Sequence, residues 1–257
     1  MSADLNNAAQ TARLALACLD LTSLNDGDDA ASIERLCAKA QTPFGNVAAV
    51  CVWPRFVAQA RALLPDAIRV AAVADFPDGE LNAARALADV QAIAQAGGQE
   101  VDVVLPYRAL MAGQVQEVAE FLAEVRHASR PLTLKVIIES GVLADAGLIR
   151  RASQLSLSAG ADFIKTSTGK TPVSATPEAA AAMLDEIRRS GLTHAGFKAS
   201  GGIRSVAQAA AYIEQARAAL GEGGLSAQRL RFGASGLLDD ILAVLGGGAS
   251  TAQGTGY

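Results

Sequence analysis

Eight short runs of apolar and β-branched residues recur along this chain, and helical patterns separate them. The runs fall at residues 16–20, 47–53, 68–76, 101–105, 132–139, 163–168, 196–200 and 231–234. The stretches between them, such as 79–96, 112–128, 143–159 and 177–190, set Ala, Leu, Glu and Arg at helical spacing. Thr176 before Pro177 is a cap followed by proline at the first helical position, and Ser205 with Gln208 has capping-box spacing. Strands alternating with helices throughout predict a parallel sheet with crossover helices. Eight such units in about 245 residues suit a single-domain (β/α)8 TIM barrel, with an open doubly wound sheet as the alternative. The domain is expected to span residues 1–245, with no interdomain linker. Residues 246–257 read as a low-complexity, flexible tail that ends on an aromatic, Tyr257.

Several functions are disfavoured by what the chain lacks. Net charge is −4 and no Lys/Arg-rich run occurs, so neither nucleic acid nor an anionic membrane is an expected partner. No apolar stretch is long enough for a membrane helix. The N-terminus carries Asp4 and no basic residue before Arg13, which makes a poor signal peptide. Cys18, Cys37 and Cys51 are an odd set without a C-x-x-C, so a reduced, cytoplasmic setting is expected. His127 and His194 are the only histidines and have no metal-ligand spacing, so no metal is expected. Neither G-x-S-x-G nor a G-x-G-x-x-G after a strand is present. Thr168-Gly169-Lys170-Thr171 looks like the end of a P-loop, but Ile164 stands where that motif needs glycine.

The lysines are more informative. Of 22 basic residues only Lys39, Lys135, Lys165, Lys170 and Lys198 are lysine. An arginine stays protonated, whereas a lysine amine can lose its proton and form a Schiff base. In a barrel the chemistry sits at the C-terminal ends of the strands. Those positions hold Asp20, Cys51, Asp102, Lys165, Lys198 and Ser235. Lys165 follows the apolar approach Ala161-Asp162-Phe163-Ile164. Burial and a second ammonium nearby would both lower its pKa. For Lys39 and Lys135 an ammonium needed as such and survival by chance stand equally open.

Glycine loops follow the last strands: Ser200-Gly201-Gly202 after the seventh and Gly233-Ala234-Ser235-Gly236 after the eighth. Backbone N–H groups there can approach an anion closely, and barrels often hold phosphate at these loops. Gly169-Lys170 after the sixth strand adds an N–H and a cation.

The segments LDLTSLND (19–26), GNVAAVCVWPRF (45–56), EVDVVLPYRAL (100–110), LKVIIESG (134–141), GADFIKTSTGK (160–170), GFKASGGIR (196–204) and RFGAS (231–235) resemble the deoxyribose-phosphate aldolase family. The likeness runs from about residue 13 to 245 and is that of the longer, enterobacterial-type branch, which keeps a terminal tyrosine. It implies a metal-free and cofactor-free class I aldolase. Its reaction is the reversible cleavage of 2-deoxy-D-ribose 5-phosphate to D-glyceraldehyde 3-phosphate and acetaldehyde, in deoxyribonucleoside catabolism. By the same resemblance Lys165 is the Schiff-base lysine and Lys198 the second lysine that perturbs it. Asp102 is the acid/base carboxylate working through a water, and Asp20 the supporting aspartate. Tyr257 aids proton transfer at C2. Cys51 is an active-site residue but not the nucleophile. Thr22, Thr168, Gly169, Lys170, Gly201, Gly202, Gly233, Ser235 and Gly236 bind substrate. The expected partners are small phosphosugars and aldehydes, with a homodimer as the candidate assembly. Two positions depart from the family's pattern. Val47 replaces Thr, and Gly236 stands where a second Ser often follows Ser235, which removes one hydroxyl donor from the phosphate loops.

Overall fold

Every strand of the barrel is apolar on the side that meets the helices, and the eight close on one another so that none is left as an edge; a separate two-stranded antiparallel hairpin, Gln41–Thr42 with Gly45–Asn46, lies outside the ring. The computed structural model describes residues 2–250. Its eight barrel strands are β1 (Leu19–Thr22), β2 (Ala49–Val52), β3 (Arg69–Ala74), β4 (Glu100–Val104), β5 (Thr133–Ile137), β6 (Phe163–Lys165), β7 (Gly196–Ser200) and β8 (Leu230–Ala234). All pair in parallel, in order round the ring, and β1 meets both β2 and β8. This is the expected (β/α)8 barrel; the open sheet is excluded.

Eleven α-helices lie among the described residues. They are α1 (Ser2–Ala17), α2 (Ala30–Lys39), α3 (Val57–Leu63), α4 (Ala83–Gln95), α5 (Tyr107–Met111), α6 (Val115–Ala128), α7 (Ser140–Leu143), α8 (Ala146–Ser158), α9 (Pro177–Ser190), α10 (Val206–Leu220) and α11 (Leu237–Leu245). Their starts follow local chemistry. The side chains of Asn82, Thr176 and Ser205 accept backbone N–H bonds at the first turns of α4, α9 and α10, and Ser205 with Gln208 forms the full capping box. Apolar side chains such as Val101, Val103, Leu134, Val136, Phe197 and Phe232 fill the layer between strands and helices. The core therefore lies outside the sheet.

Most boundaries shift by a few residues from expectation, and three of the shifts have a clear local cause. The first strand lies at Leu19–Thr22 rather than 16–20, because Ala15 and Leu16 are buried on the end of α1. The sixth stops at Lys165 rather than at residue 168. Beyond it the Thr166 hydroxyl bonds to Ser200 O and Thr168 bonds to Glu139, so the chain leaves the ladder. Helix α6 begins at Val115, after Gly113 at φ +83°. No helix among the described residues is long and apolar enough to cross a membrane. Helix α11 ends at Leu245, and Tyr257 lies outside the described residues.

Candidate active site

A barrel interior is normally packed with branched apolar side chains. Here its alternating positions point seven ionisable groups inward, all buried: Asp20, Glu100, Asp102, Lys135, Lys165, Lys198 and Arg231. The register aligns them. Asp102 lies beside Lys135, and Lys198 lies between Lys165 and Arg231.

Asp102 is the hub. Its Oδ1 accepts from Lys135 Nζ at 2.8 Å, and its Oδ2 accepts from Lys165 Nζ at 2.8 Å and Lys198 Nζ at 2.7 Å. Lys198 also donates to Asp20 Oδ2 at 2.5 Å. Below, Arg231 donates to Asp20 Oδ1 at 2.6 Å and to Glu100 at 3.0 and 3.2 Å. Lys135 meets Glu100 Oε2 at 2.5 Å. Gly233 makes room for this packing, because a Cβ there would fall 3.0 Å from Lys198 Cε and 2.8 Å from Ser200 Cβ.

The four cations differ in their company. Burial works against the charge of Lys198, but Asp102 and Asp20 outweigh it and hold the ammonium firmly protonated. Burial is likewise overcome at Lys135 by Asp102 and Glu100, and at Arg231 by Asp20 and Glu100. Lys165 has Asp102 alone among the carboxylates. Burial pulls its pKa below that of an ordinary lysine, and neighbouring Lys198 pulls the same way. Burial also penalises the ionised carboxylates. The surrounding cations nevertheless keep Asp20 and Asp102 ionised, both held below the usual range. Cys51 Sγ lies 4.0 Å from Asp102 Oδ2. Burial, reinforced by that carboxylate, pushes its thiol up to about 11, so it is no thiolate nucleophile at neutral pH.

Lys165 opens into a cavity of about 280 Å³ at the C-terminal mouth. Thr22, Thr168, Gly169, Lys170, Gly201, Gly202, Gly233, Ser235 and Gly236 line it, together with Arg204. Gly236 caps α11, whose positive end faces the same space. Lys170 Nζ donates to Leu24 O at 2.7 Å across the mouth. Gly201, at φ +85°, admits Ser174: a Cβ would lie 2.4 Å from its Oγ. Asp20, Cys51, Asp102 and Lys198 lie beneath the cavity, not on its wall.

Four residues of the site escape the sequence reading. Glu100, Lys135 and Arg231 complete the charged layer. The i, i+2 spacing of Glu100 and Asp102 on one strand is a signal for the first, because alternate residues share a face. Glu139 is buried at the end of β5 in a left-handed conformation, φ 52°. Its carboxylate accepts from the Thr168 hydroxyl at 2.5 Å and, more weakly, from the Thr168 N–H. Thr168 thus spends its donors on shaping the loop that presents Gly169 and Lys170. Among the described residues no group of three or more His, Cys, Asp or Glu side chains is arranged to hold a metal ion.

The chain is similar to known aldolases in sequence and fold. Residues 14–239 match the sequence model of the DeoC/LacD family aldolases. Deoxyribose-phosphate aldolase of Agrobacterium fabrum is 47% identical over 260 residues, covering 100% of both chains. A solved Coccidioides immitis structure assigned to the same enzyme superposes with a TM-score of 0.78 at 29% identity, over 90% of this chain and 87% of that one. A Toxoplasma gondii structure with that assignment shares the fold, with a TM-score of 0.86 at 23% identity over 95% of this chain and 99% of its own. With a family model matching residues 14–239 and a relative 47% identical along the whole chain, on a barrel with a buried lysine at its mouth, the chain belongs to the DeoC/LacD family of aldolases.

Proposed function

We propose that this aldolase reversibly cleaves 2-deoxy-D-ribose 5-phosphate to D-glyceraldehyde 3-phosphate and acetaldehyde through a Schiff base on Lys165. The setting we infer is deoxyribonucleoside catabolism in the cytoplasm. The observation that carries the reading is Lys165 itself: buried, least basic of the four interior cations and open to the mouth. The full-length relative of known name supports the substrate.

In cleavage the free amine of Lys165 attacks the C1 aldehyde of the open-chain sugar. The carbinolamine loses water and becomes an iminium, the electron sink. A base then removes the C3 hydroxyl proton, and the C2–C3 bond breaks. Its electron pair moves into an enamine between C2 and C1, still attached to Lys165. Carbons C3 to C5 leave as glyceraldehyde 3-phosphate, with C3 now the aldehyde. Protonation at C2 and hydrolysis release acetaldehyde and restore the amine. Asp102 sits 2.8 Å from Lys165 Nζ and, working through a water, is our candidate for the proton transfers. Lys198 supplies the cation that favours the neutral amine. The loops of Gly169, Gly201, Gly202, Gly233, Ser235 and Gly236, with Lys170, take the phosphate at the end of α11.

From the resemblance to the branch with a terminal tyrosine we further propose that Tyr257 assists protonation at C2; a homodimer is the candidate assembly. The reaction is tested by supplying 2-deoxy-D-ribose 5-phosphate and measuring both products. Equal amounts of acetaldehyde and glyceraldehyde 3-phosphate are expected. Conversion to an isomer without cleavage, or no turnover, would reject the assignment.

A further inference from the structure

The interior layer sets four cationic side chains against three carboxylates. Lys135, Lys198 and Arg231 each touch two carboxylates within 3.2 Å, whereas Lys165 touches only Asp102. Fully protonated, the buried layer would carry one uncompensated positive charge. A dry interior tolerates such a charge poorly, and the group with the least compensation gives up its proton first.

Resting on the Schiff-base reading above, we infer that Arg231 and Glu100 are positioning residues for the reaction: the opposed charges they contribute fix how many protons the layer can hold, and so set the pH at which Lys165 becomes the free amine. Neither borders the mouth. Both lie on a separate basin of about 760 Å³ at the N-terminal face, on the other side of the layer. Their influence reaches Lys165 through fixed charges and short hydrogen bonds. One path runs from Arg231 through Asp20 and Lys198 to Asp102; another runs from Glu100 through Lys135 to Asp102.

The electrostatic surroundings of Lys165 can be named strand by strand. They are Asp20 on β1, Cys51 on β2, Glu100 and Asp102 on β4, Lys135 on β5, Lys198 on β7 and Arg231 on β8, with Lys170 and Arg204 at the mouth. Arg69 Nε lies 3.6 Å from Glu100 at the basin, but its side chain is 43% exposed and solvent screens it. Removing a cation from the layer leaves it balanced with Lys165 protonated. Removing a carboxylate adds to the excess and drives the Lys165 proton off sooner. A unit charge one or two side chains away in this interior shifts the titration by on the order of one pH unit.

The experiment is the rate at which acetaldehyde and cyanoborohydride label Lys165, followed against pH in the full-length enzyme. In wild type the rate rises with pH as the amine loses its proton. Arg231→Met should move that rise about one pH unit to alkaline, and Glu100→Gln a similar distance to acid. The double variant, which restores the wild-type excess of one positive charge, should return to the wild-type midpoint, and Arg231→Lys should keep it. A merely structural role predicts slower labelling without opposed shifts. If Arg231→Met does not fold, Glu100→Gln and Arg231→Lys carry the test alone. Unmoved midpoints, or movement of both single variants in one direction, would overturn the inference while leaving the Schiff base intact. A wild-type enzyme that takes no label at Lys165 overturns the Schiff-base reading and this inference with it.

Discussion

Lys165 and Lys198 share one oxygen. Their ammonium nitrogens sit 2.8 and 2.7 Å from Asp102 Oδ2, on adjacent strands paired in register. Two cations on one carboxylate oxygen cannot both be fully compensated. Lys198 has Asp20 as a second partner and keeps its proton, so the loss falls on Lys165.

Lys198→Met should therefore raise the pKa of Lys165. The repelling cation is gone, and Asp102 turns wholly to Lys165 and Lys135. The acid limb of kcat/KM should move to higher pH by about one unit, which is roughly a tenfold loss of free amine at neutral pH. The pH profile of the purified variant measures this. Full activity at pH 7 would remove Lys198 from the electrostatic account.

Gly236→Ser should tighten phosphate binding. Gly236 has φ −101°, and a Cβ there meets nothing within 4 Å, so serine fits without strain. Its hydroxyl adds a donor at the start of α11, and one hydrogen bond to a charged group contributes about 1.5–3 kcal/mol. KM for the phosphorylated sugar should fall about tenfold or more, with little change for unphosphorylated deoxyribose. An equal change for both sugars would place the phosphate elsewhere.

Much of this site was legible in the sequence, and the missing part has a physical cause. Lys165, Lys198, Asp102 and Asp20 stand out because a charge at the end of an apolar run has no structural reason to be there. For Lys135 the sequence leaves chance and a needed ammonium equally open, and it gives Arg231 no role beyond opening a strand run. In a strand such as Thr133–Ile137 a charged residue alternating with apolar ones reads as the solvent face of a half-buried strand, whereas here that face is the barrel interior. Only strand pairing brings Lys135 against Asp102. Glu139 was hidden for another reason: its partner Thr168 lies 29 residues away, across a loop whose path no local pattern specifies.

Asp75 offers a stability test away from the chemistry. It is buried after β3 with neither carboxylate oxygen hydrogen-bonded, and Arg85 Nε stays 3.7 Å away. Burial pushes its pKa up to about 7 from 3.8. The folded protein thus holds a proton that the unfolded chain releases, and stability falls as pH rises from about 4 to 7. Asp75→Asn removes the charge, so it should stabilise the protein by about 1–3 kcal/mol at pH 8 and by much less at pH 5. Denaturant unfolding at the two pH values measures the difference. Equal effects at both would contradict it.

Tyr257 is tested through its proposed proton transfer. Tyr257→Phe should lower turnover strongly while substrate binding changes little. Exchange of the acetaldehyde methyl protons with D₂O should slow in parallel, since that exchange passes through the enamine at C2. Wild-type exchange and turnover in a variant lacking residues 247–257 would deny the phenol any part.

The most direct measurement is to incubate the enzyme with acetaldehyde, reduce with borohydride and map the modified peptide. A Schiff base at Lys165 predicts a single reduced two-carbon adduct on that lysine, and activity undiminished by EDTA because the iminium is the electron sink. No adduct, an adduct on another lysine, or activity lost to EDTA and restored by a divalent ion would contradict it.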